Sequence, residues 1–246
     1  MTGTEFAERA RDLAGPERDA LVRRELLAGN VPTFLRRLEA VTLRDATDTV
    51  TVCVLPDYLA LGTDRDFVFV PLGLEAALGV AERFGFMLPT RSIVNAIYAA
   101  SAVKLDPQPL PPGDQMRSTA YLVRHNEMIR AQRAGLGAPL GVLTAGNKKD
   151  LVLTPRLWQN PGRVAIYGWH RSVGSPIQPL STVHGASYAD YSHGIRLVSE
   201  IVYVNGVQRA LSDVLADPQF ARLLSDEGPL PRLSDRLASL LGGLRT

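Results

Sequence analysis

All four histidines fall in the second half of the chain, at His125, His170, His184 and His193. The last two bracket an aspartate in the string His184-Gly-Ala-Ser-Tyr-Ala-Asp190-Tyr-Ser-His193-Gly-Ile-Arg196. An imidazole works as a general base near neutral pH when a fixed partner holds its second nitrogen, and a nearby carboxylate supplies one. Asp190 can serve either His193 or His184, and His170 stands close enough in sequence to join them. Chemistry of this kind points to a hydrolase acting on an amide or ester bond. Lys148, Lys149 and Arg196 supply positive charge for a substrate or an oxyanion. Tyr191 and Trp169 supply aromatic surface. The competing structural reading is a polar loop hydrogen-bonded into a sheet edge, since His and Asp are ordinary loop residues and loops also hold most sites.

His184, Asp190 and His193 would also suit zinc, whose sites combine imidazole and carboxylate with one position open. There is no His-Glu-x-x-His helix and no Cys-x-x-Cys pair, so the expectation is no cofactor, with a zinc-dependent hydrolase as the alternative. The His184 to Asp190 string and the Trp169-His170 pair resemble the zinc-binding segment of D-alanyl-D-alanine carboxypeptidases. Here the pair precedes the His-Asp string instead of following it, and the interval from His184 to Asp190 is one residue shorter than in that family, so no ligand is carried over.

Two other strings fail as motifs. Gly141-Val-Leu-Thr-Ala-Gly146-Asn-Lys148 puts an Asn before the lysine and no hydroxyl after it, unlike a phosphate loop. Gly185-Ala-Ser187-Tyr-Ala189 has Ala where a nucleophile elbow needs its second Gly. His125 shares a helical face with Met128 and Ile129, the pattern of a packed core histidine. A third reading of the region is non-enzymatic, with Trp169, Tyr167, Tyr188 and Tyr191 forming an aromatic wall for a sugar or peptide.

The elements that must position these residues are read from periodicity. Pro16 and the spacing of Leu21, Val22, Leu26 and Leu27 predict a helix stopped by Gly29-Asn30, and Phe34, Leu35 and Leu38 predict a short one after Pro32. Thr49 to Leu55, Tyr58 to Leu61 and Phe67 to Val70 read as a small antiparallel sheet. Leu74 to Phe84 and a run capped by Thr90 read as helices. Asp106 to Asp114 contains four prolines and is expected to be a stiff, irregular seam within a single domain spanning 1–246. Beyond it come a helix over Thr119 to Arg133 and strands at Leu140 to Leu143, Leu151 to Leu153 and Arg163 to Trp169. Ile195 to Leu211 reads as a hairpin turned at Asn205-Gly206. The end is amphipathic helix broken at Pro218 and Pro229, with Leu233, Leu237, Leu240 and Leu241 on one face. The class expected is α+β, mainly antiparallel sheet in the middle with helices at both ends.

With 246 residues, 46% of them hydrophobic, the chain can bury a sizeable core. Its formal net charge of +2 gives no field to draw nucleic acid or anionic lipid. No apolar run approaches the roughly 18 residues that span a bilayer, so a cytoplasmic protein with a small-molecule or peptide-like substrate is expected. The lone Cys53 excludes an internal disulfide and is expected to be a small buried thiol. Finally, His125-Asn126-Glu127, Gly146-Asn-Lys-Lys-Asp150, Tyr167-Gly-Trp-His170 and Tyr188-Ala-Asp-Tyr-Ser-His-Gly194 are similar to strings in a group of uncharacterised bacterial proteins. That resemblance implies a bacterial source and no particular activity.

Overall fold

Helix α1 (Gly3–Arg9) begins where Thr2 accepts the Glu5 amide proton and the Glu5 carboxylate accepts the Thr2 amide proton. This reciprocal cap satisfies two otherwise orphaned donors and starts a helix that hydrophobic periodicity does not announce. Helix α2 (Gly15–Leu27) follows with Pro16 in its first turn, where no amide proton is needed. A single 3-10 turn at Thr33–Leu35 buries Phe34 and Leu35. The computed structural model describes residues 1–242 of the chain.

A first sheet then forms. Strand β1 (Glu39–Arg44) pairs antiparallel with β2 (Thr49–Val54), whose Val50, Val52 and Val54 face the core while Thr49, Thr51 and Cys53 face the other way. Cys53 is therefore half-buried and not in the core, because the two-residue period of the strand puts it on the threonine face. Strands β3 (Ala60–Gly62) and β4 (Phe67–Phe69) make a short hairpin of their own. Helix α3 (Leu74–Arg83) ends just before Gly85, which takes φ 72, and β5 (Phe86–Met87) follows. Helix α4 (Arg91–Ala100) is capped by Thr90, which accepts from the Ile93 amide, and it buries Ile93, Val94, Ile97 and Tyr98. Burial of side chains this size is worth roughly 1.5–3 kcal/mol each.

Strand β6 (Val103–Lys104) leads into the proline-rich segment, which is irregular but not detached: Leu110 is buried and its amide donates to the Tyr191 hydroxyl at 2.7 Å. Helix α5 (Thr119–Gly135), capped by Ser118, follows. The strand expected at Leu140 to Leu143 is a turn, because Pro139 and Gly141 at φ 81 break the extended run. Pairing starts only at β7 (Thr144–Ala145), which joins β6 in parallel.

The second sheet is built from β8 (Lys149–Leu151), β9 (Ile166–Ser172), β10 (Ser175–Ser181) and β11 (His193–Gly194), in the order β10, β9, β8, β11. A one-turn helix α6 (Arg156–Gln159) lies between β8 and β9. The chain then returns to the first sheet with β12 (Val198–Val204) and β13 (Val207–Ala210), giving the order β1, β2, β12, β13 with β5 also on β12. Asn205 at φ 50 and Gly206 at φ 83 form the expected two-residue turn. Helices α7 (Leu211–Ala216), α8 (Pro218–Leu224) and α9 (Leu233–Gly242) close the described chain, with Asp217 capping α8 just ahead of Pro218. Leu233 is buried and Leu237 and Leu240 pack partly against the core, while the Leu241 side chain lies outside the described part.

The fold is α+β, with mostly antiparallel pairing. One connected core runs from Phe6 to Leu233 and draws on both sides of the proline-rich segment. Among the described residues, no helix is long and apolar enough to cross a membrane.

Candidate functional site

The second sheet gathers chemistry along one line. His193 in β11 is the direct parallel partner of Lys149 in β8, and Lys149 in turn faces Gly168 in β9. The Lys149 amide donates to the Ser192 carbonyl at 2.8 Å, so the loop that ends in His193 is stitched to the strand carrying the lysines. Asp190 is fixed just before it. Its Oδ1 accepts from the Ser192 amide at 2.8 Å and from the Ser192 hydroxyl at 2.6 Å, while its Oδ2 accepts from the Tyr188 hydroxyl at 3.1 Å.

His193 is buried, and its Nε2 stands 3.9 Å from Asp190 Oδ2, beyond hydrogen-bond reach. Neither of its ring nitrogens has a partner among the described residues. Burial pushes this imidazole down to about 4, against the pull of Asp190, so it is neutral at pH 7. Burial works to raise the Asp190 carboxyl, yet His193, the Ser192 hydrogen bonds and Lys149 together hold it below the usual range. Above this pair lies a half-exposed stack: His184 lies flat on Tyr188 with ring centroids 4.0 Å apart, and 6.4 Å separates the His184 and His193 centroids. Partial burial also lowers the His184 imidazole. Burial and the neighbouring Asp190 push the Tyr188 phenol up to about 12, so it remains a donor.

Deeper in, Lys148 is fully buried. Its Nζ lies 3.0 Å from His125 Nδ1 on α5 and donates to the Tyr191 carbonyl. With the lysine as donor, the His125 proton sits on Nε2. Burial takes Lys148 down to about 7, and burial with the nearby lysine takes His125 down to about 2. His125, Trp169 and Tyr191 meet edge to face, with centroids 5.0 Å apart for His125 and Tyr191 and 6.1 Å for His125 and Trp169. Lys149 Nζ lies 5.1 Å from the Trp169 ring centroid, within cation–π range. Trp169 holds a left-handed φ of 57 with its indole Nε1 unpartnered. A bulky residue in that region costs on the order of 1–3 kcal/mol, and such strain persists where the surroundings enforce it.

Of the residues singled out from sequence, the structure thus brings together His184, Asp190, His193, Lys148, Lys149, Trp169 and Tyr191. It places His170 and Arg196 elsewhere. His170 follows Trp169 in β9 and stacks on Tyr98 at 4.7 Å, with its Nε2 3.0 Å from Asn95 Oδ1. Asn95 Oδ1 also accepts from the Tyr167 hydroxyl at 2.8 Å. Arg196 is fully buried; it donates to the Leu55 carbonyl at 2.8 Å and to the Thr144 carbonyl at 2.6 Å, with its guanidinium carbon 4.3 Å from the centre of the Tyr58 ring. Tyr58 in turn donates to Asp150 at 2.8 Å, and burial raises that carboxyl to about 7. Arg196 therefore ties three chain segments together and does not reach toward solvent. The aromatic wall expected for a sugar or peptide is likewise divided, since Tyr167 joins the Asn95 side while Trp169 and Tyr191 are interior.

Sequence reasoning passed over Ser192, Asn147 and the role of Tyr188 in holding Asp190. The Asp190-Tyr-Ser192 spacing is that of an Asx turn, a signal that was available for Ser192. Asn147 is buried with both side-chain polar atoms unpartnered, a state only coordinates reveal. Between the two groups sits Gly194, where a Cβ would lie 2.8 Å from Lys148 Cβ and closer still to the Tyr58 ring. Among the described residues, no group of three or more His, Cys, Asp or Glu is arranged to hold a metal ion. Comparisons of the chain with protein-family models, with curated proteins and with solved structures gave no match.

Proposed function

We propose that this protein hydrolyses an amide or ester bond at the His184–His193–Asp190 cluster. The observation that carries the reading is His193: a buried imidazole with neither nitrogen partnered, beside a fixed carboxylate and beneath a half-exposed histidine. Buried polar groups are almost always hydrogen-bonded, and those left open concentrate where a substrate or a bound water completes the set.

In this reading His184, the member that meets solvent, takes the proton from a water whose oxygen attacks the carbonyl carbon. The negative charge that develops on the carbonyl oxygen is stabilised by the Lys149 ammonium, which approaches from the neighbouring strand. When the tetrahedral intermediate collapses, the bond to the leaving amine or alcohol breaks and His184 returns the proton to it. His193 and Asp190 act as positioning residues, orienting the attacking water and the loop from 184 to 190.

A panel of acyl esters and short peptide amides tests this directly. Turnover by the wild type is expected, with His184→Ala lowering kcat/KM by roughly 10²–10⁴-fold, the usual worth of a general base, and leaving the melting temperature unchanged. Hydrolysis that persists undiminished in His184→Ala, or no turnover of either bond type, would overturn the proposal.

A further inference from the structure

A cleft of about 200 Å³ lies between the starts of α2 and α3, behind the loop that carries His184. Asp19 stands in its wall, with Ala20 and Ala76 beside it and Ala186 and Ser187 closing one side. The aspartate is only 7% exposed. Its Oδ2 accepts from the Gly73 amide at 2.8 Å, while Oδ1 is withdrawn from bulk water and has no partner among the described residues.

The cations nearby do not fill this gap: Arg23, which lines the cleft together with Glu75, and Arg117 form no hydrogen bond with Asp19 among the described residues. The Arg18 guanidinium turns away, donating to the Arg117 carbonyl at 2.8 Å and the Ala189 carbonyl at 3.3 Å. Burial raises the Asp19 carboxyl to about 6, which leaves it mostly ionised at neutral pH. An ionised carboxylate only accepts hydrogen bonds, so what completes Asp19 must donate. The alanines beside it are small and apolar, which suits a methylene chain. A guanidinium would want both carboxylate oxygens for a bidentate pair, and Oδ2 is already committed to Gly73. An ammonium needs one oxygen and can spend its other protons on carbonyls such as that of Ala186.

We propose that this cleft binds a primary alkylammonium group, with the ammonium on Asp19 and the alkyl chain against Ala20 and Ala76. The terminal torsion of an aspartate is soft, so a rotation small enough to keep Oδ2 within reach of the Gly73 amide turns Oδ1 toward the ligand. The volume is below the ~300 Å³ of a small full-ligand pocket, so the cleft takes an end group and not a whole large ligand. The Ala186 carbonyl accepts from the Leu74 amide at 2.8 Å, so an occupied cleft braces the loop from below.

The test is a titration of ¹⁵N-labelled protein with n-butylammonium, using n-butanol and tetramethylammonium as probes that lack the charge or the donor. Saturable shifts are expected at the amides of Gly73, Leu74 and Ser187 with butylammonium. Both control probes, and folded Asp19→Asn, should bind roughly tenfold or more weakly, a loss of about 1.4 kcal/mol. Ala76→Leu keeps the carboxylate but fills the slot from a half-buried position, and it should abolish the shifts, which settles the matter even where Asp19→Asn fails to fold. Equal response to tetramethylammonium, wild-type affinity in either folded variant, or no saturable shift at these amides would each overturn the proposal.

Discussion

Two polar regions flank strand β8 and use nearly the same residue types, yet they differ in how completely their hydrogen bonds are made. Around Asp150 most donors and acceptors are matched: Tyr58 donates to the carboxylate, Arg196 to two carbonyls, and His170 and Tyr167 share Asn95, while Arg196 Nε lacks a partner among the described residues. Around Lys148 and His193 the groups are equally buried, but both nitrogens of His193, the indole of Trp169, Nε2 of His125 and the amide of Asn147 lack partners. Burial does not separate the two. What separates them is the number of buried polar atoms without a partner among the described residues, one beside Asp150 against six beside Lys148 and His193. Under the proposed function, satisfaction marks the candidate site where composition does not.

The sharpest way to break this comparison is to cut into the matched region. Arg196→Met removes a buried cation that holds the Leu55 and Thr144 carbonyls, so denaturant unfolding should show a loss of about 3–5 kcal/mol; a loss under about 1 kcal/mol would mean that the network is not what holds those segments.

Next in size is a difference in pH dependence. Lys148 has a folded-state pKa near 7 against 10.5 unfolded, lowered by burial. Between those values the unfolded chain binds more protons, so stability rises with pH by on the order of 1.4 kcal/mol per unit and the burial penalty is greatest below pH 7. Unfolding measured across pH 7 to 10 should show this gain in the wild type relative to Lys148→Met; parallel curves for the two proteins would sink it.

The smallest effect expected is that of Tyr188→Phe. It deletes one of the bonds to Asp190 while the two from Ser192 remain, and it should cost about 1 kcal/mol in stability. A larger loss would show that this hydroxyl, and not the Ser192 pair, is what holds the Asp190 carboxylate.

Much of the scaffold was legible from sequence because its signals are local. The Asn205-Gly206 turn, the Thr90 cap, the Pro218 break and the helical period from Thr119 to Arg133 each depend on a few adjacent residues. What was missed depends on pairing or on reciprocal capping and not on hydrophobic periodicity: β1 is charged at both ends and is a strand because β2, just after it in the chain, lies beside it, and α1 is started by a cap. The candidate site was half legible. Proximity in sequence correctly grouped His184, Asp190 and His193 in space, but it could not foresee that Trp169 and His170 leave β9 toward different neighbours, one toward Tyr191 and the other toward Tyr98. The two-residue period of a strand contains that hint. Arg196 misled for a related reason: a charge among Ile195 and Leu197 suggests an exposed face, whereas carbonyls 141 and 52 residues away make it an interior tie.

Position 194 carries a lesson for anyone redesigning this protein. A single added methyl there would push at once on the phenol ring of the matched network and on the aliphatic stem of the buried amine. The hydrogen at that α-carbon acts as a spacer between the two assemblies, and even alanine would force them apart. In a saturation library the tolerated alphabet at this residue should shrink to one letter, while an exposed position such as Val183 accepts several.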